Sequence, residues 1–214
     1  MEEKFRIELR QIDVKGLNAR HYFWVKTRVL KDGKKVIDTR VLGEMHGFAV
    51  DPKTGEPKVF SVTGDNLGFV ASNTPSKLYL QSRSLPHVVA LEGSGKEIET
   101  HWDAGQQMGR FVDKTRTNYF PLDNNSNAMA TTIGKAMGLR PRKILDPRVG
   151  GEEVQPFTPG LGLDLSSGHA NAPQVPPRER QRDVGGFGKL DLTDLGEEQT
   201  LDPFVDPFRD HIPF

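Results

Sequence analysis

Two extended runs joined by an Asp-Gly pair decide the fold of this chain. The first is His21-Tyr-Phe-Trp-Val-Lys-Thr-Arg-Val-Leu30, which is rich in aromatic and β-branched residues, and the second runs from Val36 to Val50. Between them lies Lys31-Asp-Gly-Lys34, and an Asp-Gly pair in this position is a strong signal for a tight hairpin. These residues therefore predict two long, neighbouring, antiparallel strands.

Shorter runs on either side of the hairpin extend the same pattern. Residues 5–9 alternate between apolar and charged side chains, as in a strand with one buried face. Downstream, we expect extended chain at 59–62, 78–80 and 87–91, and a loop over 64–77. The first ninety residues therefore predict an antiparallel meander of about five strands.

Two helices are expected after the meander. Between about Ile98 and Arg116 the spacing is helical, although two glycines weaken the pattern. Over residues 124–138 an Asn/Ser cluster supplies the N-cap, small and apolar residues fill the body, and Gly138 ends the helix before Pro141. We therefore predict an α+β fold in which this second helix packs on the sheet as a core helix.

The chain divides into a basic body and an acidic tail. Residues 1–149 hold 24 Lys/Arg and 17 Asp/Glu, a net charge of +7, whereas residues 150–214 hold 5 and 12, a net charge of −7. The tail also carries 8 of the 15 prolines. We predict a folded domain over 1–165, with 154–163 folding back on it as extended chain. Residues 166–214 are expected to form a largely irregular tail.

Composition excludes several classes of protein. Without cysteine there is no disulfide, thiolate metal site or cysteine nucleophile, and no histidine pair has metal-ligand spacing, so we expect neither metal nor cofactor. No apolar run approaches the ~18 residues of a membrane span, and no basic stripe with interleaved aromatics indicates nucleic-acid binding. The acidic N-terminus is unlike a signal peptide. We expect a cytoplasmic protein in the producing cell, or export without a conventional leader.

The first candidate site is Asn124-Asn-Ser-Asn127 at the start of the second helix. A nucleophile at a helix N-terminus gains from the unpaired backbone N–H groups and the positive end of the dipole, and the same groups can hold an oxyanion. Ser126 is the candidate nucleophile, with Asn125 and Asn127 as oxyanion or substrate-binding side chains. Asn and Ser are also among the commonest helix caps, so a purely capping role stays open.

The second candidate is Glu44-Met-His46, where His46 is expected to open an apolar strand. A general base needs a rigid mount beside its nucleophile, and a strand supplies one. Glu44 lies on the same face as His46 and could orient the imidazole. The alternatives are a structural histidine and a solvated carboxylate. We expect His21, beside its aromatic run, to be structural, and His87 to be a possible base.

The order and spacing of these two features resemble the circularly permuted papain-like hydrolases, including the PPPDE and lecithin:retinol-acyltransferase-like groups. In those proteins a histidine lies on an early strand, and a later helix that begins Asn-Cys-x-x-Phe carries the nucleophile. Here His46-Gly-Phe-Ala-Val50 is similar to the histidine strand, and Asn125-Ser-Asn-Ala128 to the nucleophile helix, with Ser126 at the cysteine position. The resemblance covers roughly residues 20–165. Leu139 and Pro159-Gly160 resemble variants in bacterial secreted effectors and toxin-type domains.

The resemblance implies a hydrolase or acyltransferase that acts on an amide, ester or thioester of a peptide, peptidoglycan or lipid. Ser126 would attack and His46 would take its proton, with Glu44, His87 and Asn66 as candidates for a third catalytic member. A thiol deprotonates more readily than an alcohol. The serine therefore leaves three alternatives open: a working serine variant, a degenerate site kept for binding, or an engineered inactivating replacement.

The end of the tail supports a different class of function. Asp202-Pro-Phe204 recurs as Asp206-Pro-Phe208, and Ile212-Pro-Phe214 is similar. A phenylalanine after a stiff proline is typical of short segments that dock on a protein and order on binding. Phe204, Phe208 and Phe214 would then be anchors of a non-catalytic adaptor in a secretion or phage-like assembly. Two further alternatives are a tail that covers the site on the basic body and a tail that binds nothing.

Overall fold

A computed structural model of the chain describes residues 1–14, 19–58, 64–121, 125–139 and 163–166. Within this part, six strands are formed: β1 (Glu2–Val14), β2 (Ala19–Asp32), β3 (Lys35–Val50), β4 (Pro57–Lys58), β5 (Asn66–Ser72) and β6 (Val88–Gly93). Three helices accompany them: α1 (Lys77–Ser82), α2 (Gly95–Lys114) and α3 (Ser126–Ala136). None of these helices is long and apolar enough to cross a membrane.

The six strands form one antiparallel sheet. Its order is β4-β3-β2-β1-β6, and β5 pairs with the second half of β3. The β2–β3 hairpin closes at the Asp32↔Lys35 pair, where Gly33 sits at a φ of +60° in the two-residue turn. The predicted α+β fold with an antiparallel sheet is confirmed, and so is the hairpin.

The two faces of the sheet are covered differently. We call the face beneath α2 and α3 the core face; it carries apolar residues of β1, β2 and β3, namely Ile7, Leu9, Tyr22, Trp24 and Met45. The opposite face lies beneath α1, and its apolar cluster comprises Phe23, Val25, Val41, Leu78 and Tyr79. We call it the polar face, because Glu8, Arg10, Thr27, Glu44 and His46 are also buried there.

The ends of α3 follow from its sequence. The Asn125 side chain accepts hydrogen bonds from the backbone N–H groups of Asn127 and Ala128, which the first turn of a helix otherwise leaves unpaired. At the other end Gly138 adopts a φ of +73°, which lets the Leu139 N–H bond back to the Gly134 carbonyl. The helix predicted over 124–138 is therefore confirmed as α3, which begins and ends two residues inside those bounds.

The structure corrects the sequence-based assignments in two places. Residues 78–80, expected as a strand, lie in α1, because Ser76 caps that helix by accepting a hydrogen bond from Tyr79 N–H. The expected loop over 64–77 contains β5, which pairs with the second half of β3. The helix expected between about Ile98 and Arg116 is α2, which begins slightly earlier, at Gly95. The expected extended chain at 59–62 and the tail from 167 onward lie outside the described residues.

Candidate functional site

The candidate site lies where β2 and β3 separate, a place we call the fork. Pairing between these strands begins at Trp24↔Met45, whereas β5 runs along the other edge of β3 and also pairs with Met45. The N-terminus of α3 enters the gap: the Asn127 side chain accepts from Tyr22 N–H and donates to the Arg20 carbonyl, both at 2.9 Å. One asparagine thus takes the hydrogen bonds that a neighbouring strand would make with β2.

Gly47 on β3 makes this close approach possible. A Cβ at this position would lie 2.5 Å from the Cβ of Met129 and 3.1 Å from the Cα of Ser126, which is too close for any side chain. On the other side, the Trp24 indole N–H donates to the Ala130 carbonyl at 2.7 Å. The start of α3 is therefore held between the two strands, and Ser126 is its first residue.

His21, and not His46, is the histidine that contacts Ser126. Its Nδ1 lies 2.9 Å from the Ser126 Oγ, across 105 residues of sequence. The sequence predicted a structural role for His21 and made His46 the partner of Ser126. The structure corrects this, because it places His21 beside Ser126. His46 lies within β3 and does not open the strand. No local pattern could have identified His21, because its place opposite Ser126 depends on the fork.

Burial controls the charge of His21. Desolvation, and then the charge of His46, lower the pKa of His21 to about 3, so the imidazole is neutral at pH 7. Its Nε2 is buried without a hydrogen-bond partner in the described part of the chain. With the proton on Nε2, Nδ1 is an acceptor and the Ser126 hydroxyl donates to it. This is the arrangement that a general base requires before it takes a proton.

Glu44 and His46 form a buried pair next to His21. The His46 Nε2 lies 2.8 Å from the Glu44 carboxylate, which also accepts from the Ser76 backbone N–H at 2.8 Å and from its hydroxyl at 2.6 Å. The His46 ring is nearly parallel to that of His21, with centroids 6.1 Å apart, and packs on Phe23 at 4.5 Å. Because Glu44 is fully buried, the alternative of a solvated carboxylate is wrong.

The side chains of Asn125 and Asn127 hold the helix in place. Asn125 caps α3 and donates to the Pro121 carbonyl at 2.7 Å, and Asn127 bonds β2. The Asn127 backbone N–H is also used, since it donates to the Asn125 side chain. We therefore assign both asparagines to positioning α3, in place of the oxyanion role expected from the sequence.

Tyr119 is a neighbour of Ser126 that the sequence did not suggest. Burial raises the pKa of the Tyr119 phenol, while hydrogen bonding with the side chain and backbone of Ser126 acts in the opposite direction. The phenol therefore remains protonated at neutral pH. No motif marks this tyrosine, because it lies between α2 and α3 and outside either helix. Its position near Ser126 depends on how the chain folds after α2.

The other expected site residues lie elsewhere. Asn66 forms an isolated bridge with Asn118, and His87 precedes β6, where it faces Glu8 and Arg10 on the polar face. Neither forms a hydrogen bond with Ser126 among the described contacts. The described residues contain no His/Cys/Asp/Glu group arranged to hold a metal. Phe204, Phe208 and Phe214 lie outside the described residues.

Comparison with known proteins gives no relative for this chain: no family model, no curated protein and no solved structure matches it. The resemblance to the permuted papain-like hydrolases thus stays a prediction that rests on the short motifs around His46 and Ser126.

Proposed function

We propose that this chain is a hydrolase or acyltransferase with Ser126 as its nucleophile and His21 as its general base. The observation that supports this proposal best is the 2.9 Å contact between His21 Nδ1 and Ser126 Oγ at the first residue of a core helix. A hydroxyl bonded to a neutral imidazole at a helix N-terminus has the partner needed to activate it for attack. Amides, esters and thioesters are the substrate classes that such a nucleophile attacks.

The proposed reaction proceeds in two half-reactions. Ser126 Oγ bonds to the carbonyl carbon as its proton passes to His21 Nδ1, and the carbonyl π electrons move to the oxygen. The oxyanion then reforms the carbonyl and expels the leaving group, which takes the proton from His21. Water, or an acceptor alcohol or amine, attacks the acyl-serine in the same way, and Ser126 leaves with the proton returned through His21.

Glu44 and His46 are positioning residues in this proposal. Among the described contacts neither forms a hydrogen bond with Ser126, but the His46 ring packs parallel to the His21 ring and is itself held by the Glu44 carboxylate. A base is effective only when its orientation toward the nucleophile is fixed. The buried pair fixes the surface against which His21 lies.

The low pKa of His21 limits how well it can accept the proton of Ser126. An imidazole that is protonated only near pH 3 is neutral at pH 7, but it is also a weak proton acceptor. We therefore expect slow acylation of Ser126. A thiol gives up its proton more easily than an alcohol, so Ser126→Cys is expected to react faster with an electrophile than the serine does.

A fluorophosphonate probe, which reacts with activated serines, tests the proposal. We expect intact-mass and peptide analysis to place the label on Ser126, and Ser126→Ala and His21→Gln to abolish it. Ser94→Ala is the matched control, because it removes the hydroxyl that caps the start of α2. Its labelling should equal that of the wild type. A wild-type chain without label at Ser126, or full labelling of His21→Gln, would reject the mechanism.

A non-catalytic adaptor is the second candidate function. Two observations favour it: the Asn125 and Asn127 amides are used to hold the fold, and no carboxylate bonds the buried Nε2 of His21 in the described part of the chain. In this alternative the fork is a degenerate site, and Phe204, Phe208 and Phe214 bind a partner protein. Deletion of residues 198–214 should then abolish partner recovery, whereas Ser126→Ala should leave it unchanged.

A further inference from the structure

We infer that Ser76 is a positioning residue of the proposed reaction: by holding Glu44 in place, it fixes the surface against which His21 lies. This inference rests on the proposed function, because it concerns the general base of that reaction. Ser76 is the N-cap of α1, and no described hydrogen bond joins it to His21 or Ser126. It therefore acts on the reaction through other side chains.

Ser76 holds the Glu44 carboxylate by two hydrogen bonds. Its backbone N–H donates to Oε1 at 2.8 Å, and its hydroxyl donates to Oε2 at 2.6 Å. Because one residue bonds both oxygens, it fixes the plane of the carboxylate as well as its position. Hydrogen bonds to an ionised acceptor are short and strong. Both residues are buried, so water cannot easily replace a donor that is lost.

The same carboxylate connects Ser76 to the histidines. Glu44 Oε2, the oxygen that accepts from the hydroxyl, also lies 2.8 Å from the His46 Nε2. The His46 ring packs on Phe23 at 4.5 Å, and it is parallel to the His21 ring to within 4° at a centroid distance of 6.1 Å. A shift of the Glu44 carboxylate would therefore move the ring that packs beside His21.

The chain on either side of Ser76 holds it in this place. Ser72 pairs with Glu44 at the end of β5, and the chain then turns so that Ser76 reaches the same Glu44 from the polar face. Within the turn the Ser72 hydroxyl donates to the Thr74 carbonyl at 3.0 Å, and beyond it Ser76 Oγ accepts from Tyr79 N–H at 3.3 Å. The two donors to Glu44 are thus oriented by a turn and a helix, as a supporting residue requires.

The rate at which the fluorophosphonate labels Ser126 tests this role. Ser76→Ala removes the hydroxyl donor to Glu44 and keeps the backbone donor. A misplacement of about 1 Å can lower a rate about 10²-fold. Because one of the two bonds remains, we expect a smaller decrease in the labelling rate, of about 10-fold. Ser76→Thr keeps a hydroxyl that can both cap α1 and donate, and should restore most of the rate.

Ser94→Ala is the matched control, because Ser94 caps α2 as Ser76 caps α1. Each hydroxyl accepts from a backbone N–H of the first helical turn at 3.3 Å, from Glu97 and Tyr79 respectively. No described hydrogen bond joins Ser94 to the candidate site. Both variants lose an N-cap and should lower the melting temperature to a similar extent, but only Ser76→Ala should slow the labelling of Ser126.

A histidine NMR signal provides a readout that a loss of stability alone does not change. The Cε1–H resonance of His21 can be assigned from its absence in His21→Gln. We expect this resonance to shift in Ser76→Ala and to keep its wild-type position in Ser94→Ala, because only the first substitution alters the support of the ring beside His21.

The outcomes separate this inference from the proposal beneath it. If the wild type is labelled on Ser126 and Ser76→Ala is labelled equally fast, or if the His21 resonance does not move, only the inference fails. Equal slowing in Ser94→Ala would also overturn it, since helix stability would then control the rate. If the wild type carries no label on Ser126, the proposed function fails and the inference fails with it.

Discussion

The two faces of the sheet bury different kinds of side chain. On the core face, α2 and α3 cover apolar side chains such as Leu9 and Trp24, so burial alone is favourable. On the polar face, Glu8, Arg10 and Glu44 are also buried, and each needs a partner to offset the loss of water. Burial on the core face is therefore stabilising by itself, whereas on the polar face it is tolerated only where each charged group keeps its partner.

The candidate site lies where the two faces meet. Ser126 begins a helix that covers the core face. His21 lies on the same side of β2 as Phe23, which belongs to the polar face. They come together only because β2 and β3 separate at the fork. Substitutions on the two faces should therefore differ in their effects on stability.

The largest effect is expected from Glu8 on the polar face. Its carboxylate accepts from the Arg10 guanidinium at 2.8 Å and from the Thr27 hydroxyl at 2.9 Å. Burial would raise the pKa of Glu8, but the charges of Arg10 and His87 and these hydrogen bonds outweigh burial and hold it below the usual value. Glu8→Gln leaves the Arg10 guanidinium buried without a counter-charge, and should lower the free energy of unfolding by about 3–5 kcal/mol, as measured by urea denaturation.

A double variant provides the control for this prediction. Glu8→Leu combined with Arg10→Met replaces the ion pair by apolar side chains and should recover most of the lost stability, since buried pairs and apolar replacements are often equivalent. A loss below about 1 kcal/mol for Glu8→Gln would mean that the polar face is not an ionic layer shielded from water.

The next effect concerns the fork itself. Gly47→Ala places a Cβ against Met129 and the backbone of Ser126, and overpacking of this kind costs about 1–3 kcal/mol. The N-terminus of α3 should also move away from β3, so labelling of Ser126 should fall. Gly95→Ala at the start of α2 is the matched control, where a Cβ would approach the Phe5 ring at 3.3 Å. It should change stability by less than about 1 kcal/mol and leave labelling intact.

A smaller effect is expected from the pH dependence of stability. The pKa of His21 is about 3 in the fold and 6.5 as an ordinary histidine, so the unfolded chain takes up the proton first on acidification. Stability is therefore lost as pH falls through this window. Proton linkage limits the share of His21 between pH 7 and pH 5 to about 2 kcal/mol.

Urea unfolding at pH 7, 6 and 5 measures this share. His21→Gln should show a weaker loss of stability on acidification than the wild type. The pKa of His87 is also lowered by burial, so part of the pH dependence should remain in both proteins. Equal losses in the two proteins would show that His21 is not held neutral by the fold.

The smallest effect is expected from an exposed carboxylate. Glu92 on β6 accepts from Arg6 and Lys31, both at 2.7 Å, but water screens these contacts. Glu92→Gln should cost no more than about 1 kcal/mol, and less at high salt. If urea denaturation gave Glu92→Gln the same cost as Glu8→Gln, burial could not be what distinguishes the polar face.

The parts of the fold that the sequence predicted are those with short-range signals. Asp32-Gly33 marked the hairpin, and Asn125 and Gly138 marked the ends of α3, because turn and cap preferences depend on neighbouring residues. The missed elements have no such signal. The six-residue α1 is too short for a helical period to show, and β5 is recognisable mainly from its pairing with β3.

For the candidate site, the sequence alone selected Ser126 at a helix N-terminus and the pair Glu44 and His46, because each lies in a local pattern of caps or strand alternation. Only the tertiary structure places His21 and Tyr119 near Ser126 and lets the Asn127 side chain bond the edge of β2. These contacts join residues far apart in the chain. They depend on where two strands separate and on the space that Gly47 leaves for a helix, and neither of these is recorded in any short stretch of sequence.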